Sequence, residues 1–416
     1  MKNFKKSASA FLTLLISITI TSCGTAIPDT NKIDNGKNYT DTSAETTVTE
    51  QKTEETLSEE SSSQEEQPEE KIPPTSSCTF LCVGDNLIHD NIYKEALTKG
   101  GGTTYDFTDC YKYIADYIDA DVAVLNQETL VNDLHEPQSY PTFSSPLEVG
   151  DAAVDLGFNV ISMSNNHVLD MGADALINSL DYWKSKNVVA YGAYRNKADS
   201  DDIRTMEVNG ITFAFLGYME HTNGISLSGD KGYVIYLKDE ETIRRQIQEA
   251  DEKADVVVVS CHYGTEISNE LNQQQIEITP KLVEWGADII IGTQAHALST
   301  CEYIDKPDGG QAFVFYGLGN FFSTMYDTNS LVGLMGKMNI VKDNTTGEVT
   351  FENIKAIPLI SHFEASYYDS DWYNCAVYPY AQYTDELFSK NFVEGFTRDR
   401  VEEILTYVPE EFLSIE

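Results

Sequence analysis

Polar side chains of the kinds that bind metal ions follow five predicted strands of this 416-residue chain. The chain has only 7 histidines, and four of them stand in these positions: His89, His167, His262 and His296. Carboxylates and amides accompany them: Asp85, Glu128, Asn166, Asp170, Glu266 and Gln294. In open α/β sheets, ligands bind beyond the carboxyl ends of the strands. Imidazole, carboxylate and amide groups together are a ligand set for Zn, Mn or Fe, so the spacing predicts a metal centre at one sheet edge.

Each of these residues also has an ordinary structural explanation. Asp85 could cap a helix, Asn166 could belong to a turn, and His296 could be a hydrogen-bonded core residue. The joint pattern favours the metal centre, because independent structural roles need not all fall directly after strands. The remaining histidines lie outside the pattern and are predicted to be surface or loop residues: His135, His221 and His362.

Alternating strands and helices must position these side chains. Apolar runs typical of buried strands cover residues 79–83, 121–125, 159–163, 188–191, 211–216, 255–260, 288–291 and 311–316. Helices are predicted between them at residues 111–118, 152–156, 173–186, 239–253 and 273–285. This alternation predicts an α/β fold, a layered sandwich with a mixed β-sheet core.

Six segments form a series of motifs along the predicted strand ends. They are Val83-Gly84-Asp85, Leu125-Asn126-Gln127-Glu128, Ser164-Asn165-Asn166-His167-Val168-Leu169-Asp170-Met171-Gly172, Phe215-Leu216-Gly217-Tyr218, His262-Tyr263-Gly264-Thr265-Glu266 and Tyr316-Gly317-Leu318-Gly319-Asn320-Phe321. In these motifs and their order the chain resembles the poly-γ-glutamate capsule-synthesis (CapA) family. The resemblance covers residues 79–322 and implies the αββα sandwich of calcineurin-like metallophosphatases.

The resemblance also implies which residues hold metal. A first divalent ion would lie between Asp85 and His296, with His89 as a further candidate ligand. Glu128 would bridge to a second ion. The second ion would have three more ligands: Asn166, His262 and Gln294. The resemblance therefore implies two divalent ions, with Mn, Zn and Fe as the candidates.

Catalytic roles are implied for three further residues. His167 would donate a proton to a leaving group, and two carboxylates would orient ligands: Asp170 and Glu266. One position departs from the family, which usually reads Gly-x-His-Pro-His where this chain has Gly292-Thr293-Gln294-Ala295-His296. A Gln carbonyl is a harder and weaker ligand than imidazole. The second site would accordingly be weakened, selective for a harder ion such as Mn or Mg, or lost.

Two functions remain open at this point. The first is a metal-dependent hydrolase or transferase that acts on a phosphate ester or amide-linked polymer in capsule synthesis or export. The second is a non-enzymatic accessory that binds a polymer similar to poly-γ-glutamate during export and keeps a structural or vestigial metal site. The dense ligand set favours the first, and Gln294 favours the second.

The N-terminus predicts a lipoprotein. Lys2, Lys5 and Lys6 precede an apolar run at residues 11–20, and small residues then lead to Cys23. This order is typical of a secretory signal peptide, and the run is too short to span a bilayer. Its end resembles the bacterial lipobox, although an ordinary signal peptide with a chance cysteine has the same outline. We expect a lipid anchor at Cys23 on the extracytoplasmic face of the cell membrane, in a Gram-positive cell.

Composition divides the rest of the chain. Residues 24–77 contain 13 acidic residues and 4 lysines, with Tyr39 as their single aromatic residue, and are predicted to be a disordered acidic linker. Residues 78–361 are predicted to be the metallophosphatase-like domain. Residues 362–416 are rich in tyrosine and are predicted to be a C-terminal appendage with two helices.

The net charge of −39 limits the partners. It argues against nucleic acid, which requires a basic surface. An anionic cell-surface polymer would need cations to mediate its contact with this chain, and the machinery that exports such a polymer is the other expected partner. The 7 cysteines contain no CxxC pair, which argues against a zinc finger or a disulfide scaffold. A disulfide outside the cell stays open.

Overall fold

The computed structural model describes residues 73–307, 309–365 and 372–415. The predicted signal peptide with Cys23, and the predicted linker as far as residue 72, lie outside the described residues. Within the described ranges, no helix has the length and apolarity needed to cross a bilayer.

Strands and helices alternate over most of the described chain. The strands are β1 Thr75–Asn86, β2 Val122–Asn126, β3 Val160–Ser162, β4 Val189–Tyr191, β5 Ala193–Tyr194, β6 Arg204–Val208, β7 Ile211–Met219, β8 Tyr233–Val234, β9 Val256–Tyr263, β10 Ile289–Gln294, β11 Cys301–Asp305, β12 Gln311–Phe315, β13 Asn320–Phe322, β14 Val332–Asp343, β15 Val349–Ala365 and β16 Trp372–Pro379. The α-helices are α1 Asp90–Lys99, α2 Thr108–Tyr111, α3 Leu147–Leu156, α4 Gly172–Ser185, α5 Lys197–Ser200, α6 Glu240–Asp251, α7 Gln273–Trp285, α8 Asp385–Lys390 and α9 Arg398–Leu405. Short 3-10 helices lie at Ala115–Tyr117 and Tyr380–Gln382.

Two mixed sheets carry the fold. The first has the order β16-β15-β14-β1-β2-β3-β4, and β13 also pairs with β1. Its strands β1 to β4 are parallel, whereas β14, β15 and β16 are antiparallel. The second has the order β11-β12-β10-β9-β7-β6, with four parallel strands between antiparallel edges. The parallel part of each sheet directs several strand ends toward one edge.

Side-chain alternation along β7 shows how the layers stack. Phe213 faces the space between the sheets, where its ring lies 6.5 Å from that of Phe80 in β1. Leu216 faces the opposite way and joins Ile243 and Ile247 of α6 in a separate core, as the two-residue period of a strand requires. Helices α1, α2 and α4 pack against the first sheet, and α6 and α7 cover the second. The predicted layered α/β sandwich with mixed sheets is confirmed.

Two predicted helices had different outcomes. The helix expected at residues 273–285 is α7, which begins at a capping box: Asn272 accepts a hydrogen bond from the Gln275 amide, and the Gln275 side chain accepts one from the Asn272 amide, each 2.9 Å long. The helix expected at residues 111–118 is wrong, because α2 ends at Tyr111 and only a 3-10 turn follows. Tyr111 donates a hydrogen bond to Asn86 and stacks on Phe321, and these tertiary contacts override local helix propensity.

The segment after residue 361 is continuous with the sandwich. Strand β15 runs through the predicted boundary at residues 361 and 362, and β16 pairs with it. His362 is fully buried, with its Nδ1 atom 2.6 Å from the Tyr383 hydroxyl, so the prediction of a surface position was wrong. Near the C-terminus the carbonyl of Phe412 accepts a hydrogen bond from the amide of Ala356 at 2.7 Å. At the N-terminal side of the domain, β1 begins at Thr75, which lies inside the predicted linker of residues 24–77.

The cysteines of the described ranges are buried free thiols. They are Cys78, Cys82, Cys110, Cys261, Cys301 and Cys375. Burial, together with the charge of Asp121, raises the pKa of Cys78 to about 12. Burial also raises the pKa of the other five thiols, so all six are protonated at neutral pH. The disulfide left open by the sequence does not occur among them.

Candidate metal centre

The strand ends of both sheets converge at one site. Asp85 lies near the end of β1, and Glu128 follows β2, which pairs with β1 in parallel. In the second sheet His262 lies in β9, and Gln294 ends the neighbouring parallel strand β10. His296 follows two residues later. Each of these side chains is buried, so the site lies inside the fold at the shared edge of the sheets.

Three of the predicted ligands form a compact group. One ligand atom from each of Asp85, Glu128 and His296 lies within 4.8 Å of the others, and all three residues are buried. The Nδ1 atom of His296 is 3.1 Å from Asp85 Oδ2, and its Nε2 atom is 3.8 Å from Glu128 Oε1. This group has the chemistry and size to hold a divalent cation.

A second trio shares Glu128 with the first. The Nε2 atom of His262 lies 3.1 Å from Asn166 Oδ1 and 3.6 Å from Glu128 Oε1. Both trios thus meet at the same carboxylate oxygen, and one imidazole Nε2 faces it from each side. A carboxylate placed in this way can bridge two cations.

Neighbouring side chains fix the orientation of the candidate ligands. Asn126 donates a hydrogen bond of 2.6 Å to Asp85 Oδ1, and Thr293 Oγ1 lies 2.8 Å from His262 Nδ1. Asn320 Oδ1 lies 3.0 Å from His296 Nδ1. Contacts to the Nδ1 atoms leave the two Nε2 atoms directed at Glu128. Such supporting contacts set the tautomer and the basicity of metal-binding imidazoles.

The electrostatics of Glu128 fit a bound cation. Burial opposes ionisation of this carboxyl, but the nearby charges of His296 and His262 outweigh burial and lower its pKa. Burial likewise lowers the pKa of His296, but Glu128 and Asp85 outweigh burial and raise it. Within the described part of the chain, neither oxygen of Glu128 has a hydrogen-bond partner. A buried carboxylate without hydrogen bonds is costly, and divalent cations would satisfy it from both sides.

His167 lies beside the two trios and is held by other groups. Its Nδ1 atom is 2.7 Å from Asp170 Oδ2, and the same oxygen accepts a hydrogen bond of 2.7 Å from the amide of Phe143. The edge of the Phe143 ring meets the His167 ring, with centroids 4.7 Å apart. The adjacent residue Asn166 points to His262 instead. The two residues therefore face different partners, as expected for neighbours that follow a strand.

Two other predicted site residues lie at the margin. His89 is outside the compact trio; its Nδ1 atom is 3.1 Å from the carbonyl of Leu87. Burial and the charge of His296 lower the pKa of His89 to about 4, so it is neutral. Glu266 is exposed, and it accepts a hydrogen bond from Gln294.

Comparison with known proteins places this chain among capsule-synthesis proteins. The family described as bacterial capsule synthesis protein PGA_cap matches residues 79–325. The chain belongs to this family. The resemblance predicted from the motifs is confirmed, and the matched range contains every candidate ligand of the two trios.

Two curated relatives have similar sequences. The PGA biosynthesis protein CapA of Bacillus subtilis (strain 168) is 27% identical over 241 residues, which are 58% of this chain and 61% of that protein. The capsule biosynthesis protein CapA of Bacillus anthracis is 27% identical over 252 residues, 58% of this chain and 59% of that protein. The matches thus span about three fifths of the length of these relatives.

Solved structures with similar folds include a phosphatase and a nucleotidase. A novel phosphatase from Mycoplasma pneumoniae has a TM-score of 0.42 and 14% identity, covering 69% of this chain and 94% of that chain. A 5'-nucleotidase precursor from Thermus thermophilus has a TM-score of 0.41 and 14% identity, covering 68% of this chain and 54% of that chain.

The family motif Leu-Gly-Asn-Phe has a structural role at this centre that sequence reasoning missed. A Cβ atom on Gly84 would lie 1.8 Å from the carbonyl oxygen of Gly319. The two backbone segments can therefore approach this closely only because residue 84 has no side chain. The amide of Asp85 donates a hydrogen bond of 3.0 Å to the same carbonyl. This contact aligns Asp85 with Asn320, the next residue of the motif.

Backbone strain marks the loop that carries the last two candidate ligands. Gln294 has a φ of 88° and His296 a φ of 54°, in the left-handed region that favours glycine. Such conformations in other residues cost of order 1–3 kcal/mol each and cluster at functional sites. Gln is not a residue type that favours this conformation, and a single His is not specific for it, so the sequence did not predict the strained loop.

Proposed function

We propose that this family member is a metal-dependent hydrolase in the synthesis or export of a capsule polymer. The observation that carries the proposal is the environment of Glu128. Its carboxylate is buried and lacks hydrogen bonds to any described residue, and its Oε1 atom lies 3.6 Å and 3.8 Å from the Nε2 atoms of His262 and His296. A purely structural carboxylate at this depth would be hydrogen-bonded.

The two trios supply complementary positions for divalent ions. One position would be held by Asp85, Glu128 and His296, and the other by Glu128 with two further ligands: Asn166 and His262. Ions held there would lower the pKa of a water molecule and offset negative charge on the substrate. The protein itself supplies the fixed orientation of these ligands.

His167 is the residue that we assign to proton transfer. Because a carboxylate only accepts hydrogen bonds, the Nδ1 atom of His167 donates to Asp170, and Nε2 is left for the substrate. An imidazole that is protonated at both nitrogens can give its Nε2 proton to a leaving oxygen or nitrogen.

The relatives and the composition suggest the substrate and its location. The curated relatives are named for PGA and capsule biosynthesis, and we assign to this chain a phosphate ester or a γ-glutamyl amide of a capsule polymer. The net charge of −39 requires that cations mediate contact with an anionic polymer. We place the reaction outside the membrane, with the protein anchored through lipid on Cys23.

A turnover assay with metal replacement tests this function. Purified protein, stripped of metal and reloaded with Mn, Zn or Fe, should hydrolyse bis(p-nitrophenyl) phosphate or a γ-glutamyl polymer, and the stripped protein should not. If no metal-loaded form cleaves either substrate, the hydrolase proposal fails. The alternative, a polymer-binding accessory of export, is favoured by Gln294, which stands in place of an imidazole ligand.

A further inference from the structure

Gln294 is fixed at both its backbone and its side chain. Its amide N–H donates a hydrogen bond of 3.2 Å to Asp85 Oδ2. Its side-chain nitrogen Nε2 donates to Glu266 Oε1 at 3.3 Å. The residue is only 2% exposed, and its left-handed backbone conformation is maintained despite the strain. These contacts restrict the side chain to one orientation.

The contact with Glu266 determines which way the Gln294 amide points. A carboxylate accepts hydrogen bonds and cannot donate one, so the nitrogen of the amide must face Glu266. The carbonyl oxygen Oε1 therefore points away from Glu266. This atom is fully buried, and no hydrogen-bond donor among the described residues reaches it. A buried carbonyl oxygen without a partner is costly unless another group satisfies it.

We propose that Glu266 positions Gln294 so that its Oε1 atom is a ligand of the second cation, beside Asn166 and His262. This inference rests on the metal centre of the proposed function. With Glu128 as the bridge, the second position then offers three oxygen donors and one imidazole nitrogen. Oxygen donors suit Mn²⁺ and Mg²⁺, whereas imidazole suits Zn²⁺. The replacement of the family's histidine thus sets the second site for a harder ion and does not abolish it.

Metal titration of the full chain by calorimetry and equilibrium dialysis tests the proposal without any substrate. The wild type should bind two Mn²⁺ ions per chain. Gln294→Leu, which removes the oxygen, should bind one Mn²⁺ with unchanged affinity and lose the other. Gln294→His should raise the affinity of the second site for Zn²⁺ relative to Mn²⁺ by about tenfold or more.

Glu266→Gln tests the positioning step separately. A glutamine can donate to Gln294 and so allows its amide to turn over, and we expect the affinity of the second site for Mn²⁺ to fall by about 10- to 100-fold, as for other contacts that orient ligands. The matched control is Glu277→Gln on α7, because Glu277 is also exposed and also accepts a hydrogen bond from a glutamine Nε2, that of Gln273, at 2.7 Å. The control should titrate like the wild type.

Two results would overturn the proposal. One is a Gln294→Leu protein that keeps both Mn²⁺ sites with wild-type affinity. The other is a Glu266→Gln protein that titrates like the Glu277→Gln control; this comparison stays decisive even if Gln294→Leu fails to fold. Because the titration requires no turnover, normal Mn²⁺ binding without hydrolysis would refute the hydrolase proposal alone. If both variants bind Mn²⁺ like the wild type and the wild type hydrolyses its substrate, only the role of Gln294 is refuted.

Discussion

Glu128 joins the two halves of the centre, since an imidazole nitrogen from each trio lies within 4 Å of its Oε1 atom. The sequence predicted this residue and its neighbours because metal-binding residue types followed predicted strands. It did not predict the residues that orient them: Asn126, Thr293 and Asn320. Amides and hydroxyls after strands are also typical of turns, so their side-chain partners become visible only when both sheets are in place.

His167→Ala should separate catalysis from metal binding. The variant loses the proposed proton donor, and general acid catalysis contributes about 10²–10⁴-fold, so turnover should fall by that factor. Metal content should stay at the wild-type level, because His167 is hydrogen-bonded to Asp170 and is not one of the three clustered ligands Asp85, Glu128 and His296. Elemental analysis and steady-state kinetics on the same preparation measure both quantities.

Asn166→Ala is the matched comparison for His167→Ala, because it changes the adjacent residue. Its Oδ1 atom lies 3.1 Å from His262 Nε2, so this variant should lose metal together with turnover. Wild-type turnover in His167→Ala on every substrate that the wild type cleaves would show that this histidine is not catalytic.

At the level of elements, the sequence indicated the βα units well, because their apolar runs and amphipathic helices follow from local periodicity. Helix α7 agrees with its predicted bounds. The sequence did not indicate the left-handed loop at Gln294 and His296, or the parallel pairing of β13 with β1. Both depend on contacts between residues far apart in the sequence, Gln294 with Asp85 and β13 with β1, so no local pattern of residues specifies them.

Gly84→Ala should disrupt the centre through the backbone. The added Cβ atom would lie 1.8 Å from the carbonyl oxygen of Gly319, so β1 or the loop before β13 must move. Overpacking of this kind costs about 1–3 kcal/mol, and it displaces Asp85 from Asn320. We expect a lower melting temperature and weaker binding of Mn²⁺ by calorimetry.

Ser77→Ala is the control for Gly84→Ala, because Ser77 is an exposed residue of the same strand. Ser77→Ala should change neither the melting temperature nor the affinity for Mn²⁺. An unaltered melting temperature and Mn²⁺ affinity in Gly84→Ala would mean that the close approach to Gly319 does not position Asp85.

For the whole molecule, the sandwich extends to the last described residues. The ring of Phe412 packs against Phe313 of β12, with centroids 5.0 Å apart, and His362 contacts Tyr383. The composition alone suggested an appendage. It shows that the segment is rich in tyrosine, but it does not show that several of these side chains are buried. The tertiary contacts of this segment, and not its composition, make it part of the sheet.

Removal of residues 362–416 should therefore unfold the protein. The truncation cuts β15 within the strand and removes β16 and the contacts of Phe412, exposing apolar surface of the core. We expect aggregation, and loss of the cooperative thermal transition in circular dichroism, whereas the full chain should show one. A truncated protein that melts like the full chain would indicate that residues 362–416 are a dispensable appendage after all.

Cys23→Ala tests the predicted anchor. Without the thiol no diacylglycerol can be attached, so the variant should appear in the medium or remain as an unprocessed precursor. Membrane fractionation and labelling with a radioactive fatty acid distinguish these forms from the wild type, which should be labelled and sediment with membranes. Unlabelled wild type, with the variant in the same fraction, would rule out lipidation.

The length of β1 gives the domain two distinct poles. Thr75 begins this strand and Asp85 lies near its end, ten residues later, a separation of about 33 Å at 3.3 Å per residue. The turn between β14 and β15 lies at the first pole, where Asn344 donates a hydrogen bond of 2.9 Å to the carbonyl of Pro73. The polypeptide thus enters the domain at the pole opposite the metal centre. A force or a bulky label applied near Thr75 would therefore act about 33 Å from the candidate ligand Asp85.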